Sequence, residues 1–299
     1  MFIPRNSEQW TALGYIAGWK VVGALPERLT MKVAYRIADK IAADPEGSTK
    51  QLRKNLSRVI GSEPSEELVR ASMRSYLRYW VEAFRLPRIV APALLRQVGD
   101  GINDRSILDN AVARGKGVVL VITHSGNWDM AGIWLANEVG GFATVAERLR
   151  PEALYDAFVD YRESLGFTVL PLTGGEPPLG QLRQTLLDGG VVCLLGDRDI
   201  AGDGVPVTFF GEETTMPRGS ALLARETGAA LIVVSCHFPE EGDWGIDLYP
   251  EIPTQGREIE DIVADQARDI ESVVRNHPAD WHVLQPFWKR DRKTRRRHR

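Results

Sequence analysis

Six residues, His124-Ser125-Gly126-Asn127-Trp128-Asp129, set an imidazole and a carboxylate five positions apart where an apolar strand gives way to a helix. Val118-Val119-Leu120-Val121-Ile122 supplies the strand and Asp129-Met130-Ala131-Gly132-Ile133-Trp134-Leu135 the helix. Five helical residues turn through about 500°, so two helical side chains at this spacing cannot share a face. The pair can meet only with His124 on the connection and Asp129 in the first helical turn, where the carboxylate would fix the imidazole tautomer for general-base work. A capped βα loop with an incidental histidine has the same pattern.

A second charged group, Asp197-Arg198-Asp199, follows the apolar run Val191-Val192-Cys193-Leu194-Leu195-Gly196 and so emerges at another strand end. Beside a catalytic histidine it can supply a further carboxylate and a grip on an anion; alone it is a surface ion-pair cluster of small energetic value. Glu147-Arg148 and Arg162 add charge of both signs. Gly202-Asp203-Gly204 and Phe209-Phe210-Gly211 read as a glycine-punctuated loop whose aromatics could wall an apolar ligand, before Pro217-Arg218-Gly219-Ser220 opens a helix.

The elements that must position these groups follow from periodicity. Residues 8–25 read as an amphipathic helix rich in large aromatics (Trp10, Tyr15, Trp19), and helices over about 32–43, 47–60 and 65–84 follow, the last opened by Ser65-Glu66-Glu67. From about 105 helices alternate with strands near 117–122, 143–146, 168–171, 191–195, 230–235 and 245–249, ending in a helix over 257–276. The alternation predicts an α/β fold: a central, mostly parallel sheet with helices on both faces and a helical N-terminal region. Sites in such sheets lie beyond the carboxyl ends of the strands, where His124, Glu147-Arg148 and Asp197-Arg198-Asp199 all fall.

With 299 residues and 43% hydrophobic content the chain suits one globular domain over residues 1–288. Cys193 and Cys236 sit inside apolar strands, which implies buried thiols and a reducing compartment. No apolar run is long enough to span a bilayer, and no signal peptide is evident, so a cytoplasmic location is expected. The net charge of −3 hides a basic tail: residues 289–299 hold eight Lys/Arg and one acid, +7, against −10 elsewhere. Such a tail, read as disordered, suits anionic lipid headgroups, and the acidic body argues against nucleic acid.

Taken in order, His124-(x4)-Asp129, Asp197-Arg198-Asp199, Phe209-Phe210-Gly211, Met216-Pro217-Arg218-Gly219-Ser220-Ala221 and Ala224-Arg225-Glu226-Thr227-Gly228-Ala229 resemble the lipid A biosynthesis acyltransferase superfamily. Thr144-Val145-Ala146-Glu147-Arg148-Leu149, Tyr161-Arg162-Glu163-Ser164-Leu165-Gly166-Phe167 and Pro171-Leu172-Thr173-Gly174-Gly175-Glu176 are similar to its phosphatidylinositol mannoside acyltransferase branch. The resemblance runs from Leu13-Gly14 to Asp280-Trp281-His282-Val283-Leu284-Gln285-Pro286. It implies a glycerolipid acyltransferase-like fold and transfer of a palmitoyl group from acyl-CoA, a co-substrate, to the 6-hydroxyl of a mannose on phosphatidylinositol mono- or dimannoside. It also implies peripheral work at the cytoplasmic face of the plasma membrane. His124 becomes the general base, Asp129 its orienting partner, and Asp197 the third carboxylate, one methylene shorter than the glutamate common in that branch.

The expected substrate-binding set is Gly126, Asn127, Glu147, Arg148, Arg162, Arg198, Asp199, Phe209 and Arg218, with no metal and no bound cofactor. The amides around Gly126-Asn127, or Arg162 and Arg198, are the candidate oxyanion donors. With no nucleophile-elbow serine or cysteine, direct transfer in a ternary complex is favoured over an acyl-enzyme. Three alternatives stay open: another glycolipid acceptor such as a lipid A type, a metallohydrolase using His124, Asp129, Asp197 and Asp199, and a non-enzymatic lipid-binding protein.

Overall fold

The computed structural model describes Gly14, residues 18–148 and residues 152–291. Residues 18–24 are helical and lead into α1 (Glu27–Ala42), α2 (Lys50–Ile60), α3 (Glu66–Ile89) and α4 (Pro92–Asp100). Ser65 caps α3, its hydroxyl accepting from the Leu68 amide at 3.1 Å. α3 runs beyond the expected end at Phe84, with Pro87 in its last turn, and α4, opened by a proline, adds a helix to those expected. Ala38 and Ala42 of α1, Leu52 and Leu56 of α2, and Val69 and Met73 of α3 close a small helical core of their own.

The rest is built on one sheet. In chain order its strands and covering helices are β1 (Ile102–Asn103), α5 (Ser106–Ala113), β2 (Val118–Ile122), α6 (Trp128–Val139), β3 (Phe142–Ala146), α7 (Glu152–Glu163), β4 (Phe167–Pro171), α8 (Pro178–Leu187) and β5 (Val191–Leu195). After β5 come a hairpin, β6 (Val205–Phe209) and β7 (Glu212–Met216), then α9 (Gly219–Thr227), β8 (Ala230–His237), β9 (Gly245–Leu248) and α10 (Ile259–Asn276). The sheet order is β1-β9-β8-β2-β5-β3-β4, parallel throughout except where β8 meets β9. Strand residues alternate between two cores: Val119, Val121, Val192, Leu231 and Val233 face α8, α9 and α10, whereas Leu120, Cys193, Ile232 and Val234 face α5 and α6. Helices on both faces explain why β2 and the first five residues of β8 read as unbroken apolar runs.

Three sequence expectations change here. The loop after β5 contains the β6–β7 hairpin, turned at Phe210 (φ 49°) and Gly211 (φ 75°), and Phe209 is fully buried against Trp281, Phe287 and Trp288, so it is core and not a ligand wall. The basic tail begins later than residue 289: Lys289–Asp291 form a 3-10 turn in which Asp291 accepts from Arg58 at 2.7 Å and Lys289 pairs with Glu213, while residues 292–299 lie outside the described residues. In the expected N-terminal aromatic helix, Trp19 turns inward onto Phe84, Phe158 and Tyr161, and Trp10, Leu13, Tyr15 and Ile16 lie outside the described residues.

Candidate active site

β2 ends at Ile122, and the connection Thr123–Gly126 carries His124 before Asn127 caps α6, its side-chain oxygen accepting from the Met130 amide at 3.1 Å. Gly126 is required twice: its φ is 55°, and a Cβ there would lie 2.5 Å from the Cys236 carbonyl group on β8. A short segment from near the C-terminus holds this loop by its backbone. The Gly126 amide donates to the Asp280 carbonyl at 3.0 Å, the His282 amide donates to the His124 carbonyl at 2.7 Å, and Ser125 bridges Trp281. Asp280 is fixed in turn, its carboxylate accepting from the Ser75 hydroxyl at 2.6 Å and the Phe238 amide at 2.8 Å.

The imidazole of His124 meets Asp197. Its Nδ1 lies 2.6 Å from Asp197 Oδ1, and Asp197 Oδ2 accepts from the His124 amide at 3.2 Å and from Trp281 Nε1 at 3.0 Å. Asp197 is fully buried; burial alone would raise its pKa, but the nearby His124 charge and the hydrogen bonds from His124 and Trp281 outweigh it and hold the carboxyl below its ordinary range. An ionised Asp197 can hold the imidazole proton on Nδ1 as a hydrogen bond, which leaves the Nε2 lone pair free. The adjacency follows from register. β2 and β5 pair parallel with Ile122 opposite Leu195, the Gly196 amide continues the ladder to the Ile122 carbonyl at 2.9 Å, and His124 and Asp197 each lie two residues past their strand ends.

Asp129, the orienting carboxylate expected from the sequence, makes a different contact. It is buried in the first turn of α6, where its side chain receives Arg162 Nε at 3.1 Å, Arg162 Nη2 at 3.4 Å and the Tyr79 hydroxyl at 3.0 Å. α6 turns it toward α3 and α7, away from the β2–β5 seam that holds the imidazole. Burial pushes the Tyr79 hydroxyl well above its ordinary pKa, so it stays a donor to Asp129. Trp128 lies between the two corners, stacked on Tyr79 with centroids 4.0 Å apart and edge-on to His124 at 5.8 Å. An apolar cavity of about 70 Å³ lies beside α6, lined by Trp128, Asp129 and Arg162 together with Leu120, Ile122, Cys193, Leu195 and Val234. Burial pushes the Cys193 thiol up to about 12, so it lines the cavity as an apolar group.

The family profile of bacterial lipid A biosynthesis acyltransferases matches residues 4–290. The chain is 48% identical over 295 residues to the phosphatidylinositol mannoside acyltransferase of Mycolicibacterium smegmatis, covering 97% of this chain and 95% of that protein. It is 48% identical over 294 residues to the protein of the same description from Mycobacterium tuberculosis H37Rv, covering 96% and 92%. The chain belongs to the bacterial lipid A biosynthesis acyltransferase family.

The other residues singled out in the sequence take distinct places in this acyltransferase. Asn127 is buried, and its Nδ2 donates at 2.6 Å to Glu82, which also accepts from Trp244 Nε1 at 2.9 Å and Arg78 Nε at 2.6 Å. Burial raises the Glu82 pKa against the pull of Arg78 and the hydrogen-bond donors. The Gly126 amide is committed to Asp280, so it is no free oxyanion donor. Asp199 folds back on its own loop, accepting from the Gly202 amide at 2.7 Å and the Gly204 amide at 3.2 Å, and Arg218 pairs with Asp203 on the surface at 3.3 Å; both are loop and surface groups rather than parts of the site. Glu147 is exposed, and Arg148, also exposed, donates to the Gly174 carbonyl at 2.6 Å. Arg198, half-buried next to Asp197, makes no ion pair with the described residues. The four-residue metal set weighed from the sequence is not assembled, since Asp129 and Asp199 are committed elsewhere. The sequence gives no sign of Ser75, Tyr79 and Glu82, since buried polar residues on a long amphipathic helix carry no local signal of what they face, nor of Trp244, which reaches Glu82 from the β8–β9 connection.

Proposed function

We propose that the chain transfers a fatty acyl group from acyl-CoA to the 6-hydroxyl of a mannose on phosphatidylinositol mono- or dimannoside, with His124 as general base. The observation that carries this reading is the 2.6 Å contact between His124 Nδ1 and the buried Asp197 carboxylate. A sugar hydroxyl is a weak nucleophile at neutral pH, and a positioned base contributes about 10²–10⁴-fold. His124 Nε2 takes the hydroxyl proton as the oxygen attacks the thioester carbonyl; the tetrahedral intermediate collapses with loss of the CoA thiolate, which takes that proton back as a thiol. Asp197 keeps the proton on Nδ1 and balances the imidazolium between the two transfers. Arg162 is held by Asp129 and the Gly126 amide by Asp280, which leaves Arg198 and the Asn127 amide as the oxyanion donors. The apolar lining of the cavity beside α6 suits part of an acyl chain; about 70 Å³ is too small for a whole palmitoyl chain.

The acceptor is read from the relatives of that name. Peripheral attachment to the cytoplasmic face of the membrane belongs to the same reading. Among the described residues no helix is long and apolar enough to cross a membrane. Leu29, Val33 and Ile37 stand about half exposed in a row along α1, beside Arg28, Lys32, Arg36 and Lys40, a pattern that suits an anionic lipid surface. Incubation of the purified chain with radiolabelled palmitoyl-CoA and phosphatidylinositol mono- or dimannoside is the direct test: labelled glycolipid with stoichiometric CoA release is expected. Transfer only to a lipid A-type acceptor, or no release of CoA, would overturn it. Replacing Leu29, Val33 and Ile37 by serine is expected to reduce co-sedimentation with anionic vesicles and to spare turnover on detergent-dispersed substrate.

A further inference from the structure

Behind the catalytic loop, on the far side of the peptide that Gly126 abuts, three side chains converge from three elements. His237 ends β8, Asp247 stands on β9 and His277 caps the end of α10; one ligand atom from each lies within 4.8 Å of the others. His237 Nδ1 and Asp247 Oδ2 are 3.4 Å apart, and His277 Nε2 is 4.0 Å from the same oxygen. The His237 side chain is 9% exposed, yet its Nδ1 has no hydrogen-bond partner. A buried ring nitrogen left in this state is costly unless it has something to bind.

The surroundings are built around these groups. Asp247 gives its other oxygen to Asn103 Nδ2 at 2.6 Å, which fixes the carboxylate with one oxygen toward the two rings. A Cβ at Gly245, the register partner of His237, would run into the His237 ring, so the glycine makes room for it.

We infer that His237, Asp247 and His277 form a binding site for a divalent transition-metal ion of the zinc type, separate from the catalytic histidine. Two imidazoles and one carboxylate are a borderline-soft N,O set that suits Zn²⁺, with water completing a tetrahedron, and Asn103 is the outer hydrogen bond that such ligands use for orientation. Bonds of about 2.0–2.1 Å require the ligand atoms to close in. As placed, the rings are stacked, with centroids 3.7 Å apart and planes within 10°, so one must turn; His277, with 30% of its side chain exposed, is the one with room.

The ion's role would be structural. It would tie β8, β9 and the end of α10 together one residue before the Pro278–Asp280 turn, from which Asp280 and Trp281 reach Gly126 and Asp197.

The test is calorimetric titration of Zn²⁺ into the chelator-treated, tag-free full chain, with thermal melting alongside. One equivalent bound and a higher melting temperature are expected. Both should weaken at least about tenfold in affinity or vanish in Asp247→Asn and His277→Ala, and persist in His124→Ala and in the tail variant His298→Ala. Circular dichroism of the zinc-free variants checks their fold, and Asn103→Ala, which leaves all three ligands in place, should weaken binding by a smaller factor. No uptake by the wild type, unchanged uptake in Asp247→Asn, or uptake lost in His124→Ala or His298→Ala would overturn the proposal.

Discussion

Asp197 and Asp129 are both buried carboxylates just past an apolar strand, and they do opposite jobs. Asp197 lies in the seam between two parallel strands and faces an imidazole, whose proton it can hold but need not keep. Asp129 is turned by its helix toward a guanidinium and a phenol that never lose their protons at neutral pH, so its corner is static. The difference teaches that a carboxylate's role is set by the titration range of its partner. The residue five positions from the histidine pairs with Arg162 and Tyr79, and the one 73 positions away contacts the imidazole.

His124→Ala should have the largest effect, a loss of about 10³-fold or more in turnover with an unchanged melting temperature. Residual turnover above a tenth of wild type would remove the base from this corner altogether. Asp197→Asn should follow closely, at about a thousandfold in kcat, because an amide no longer selects the tautomer with the proton on Nδ1. Asp129→Asn is expected to reverse the pattern: it leaves a largely buried Arg162 without its counter-charge, which costs about 3 kcal/mol of stability by urea unfolding, with the smaller kinetic loss. If Asp129→Asn matched Asp197→Asn in kcat at full stability, the division between the two corners would fail.

The pH dependence of stability sharpens the same contrast. The Asp197 carboxyl is held lower in the folded chain than in the unfolded one, so its contribution is complete above about pH 4 and is lost as pH falls through the depressed folded value. Asp197→Asn should therefore flatten the acid limb of the unfolding free energy; an unaltered limb would mean that the carboxylate does not carry it. Smallest of all, Asn127→Ala removes the α6 cap and the contact with Glu82, and about 1 kcal/mol of stability is expected to go with it, read by thermal melting.

Much of the fold was legible because it is written locally. Unbroken apolar runs at Val118–Ile122 and at residues 230–234 can only be buried on both faces, and the helix over Ile259–Asn276 shows its apolar side at every turn. The hairpin at residues 205–216 was hidden by its glycines and by Phe209, whose position next to Phe210 and Gly211 suggested exposure until Trp281, Phe287 and Trp288 closed over it. The expected N-terminal aromatic helix divides for a similar reason: Trp19 packs between Phe84 and Phe158, while Val21 and Leu25 stay exposed, as do Leu29, Val33 and Ile37 of α1.

The sequence by itself determined the strand-to-loop position of His124, the emergence of Asp197 at a second strand end, the glycine that the turn needs, and the family. Those are properties of short segments, fixed by side-chain period and turn stereochemistry. Tertiary structure alone decided that Asp197 rather than Asp129 touches the imidazole, that Asp280–His282 clamps the loop, and that His237, Asp247 and His277 converge. The reason is register: which residues lie side by side beyond two parallel strands depends on how the strands are ordered and aligned, and no spacing along one chain segment contains that information.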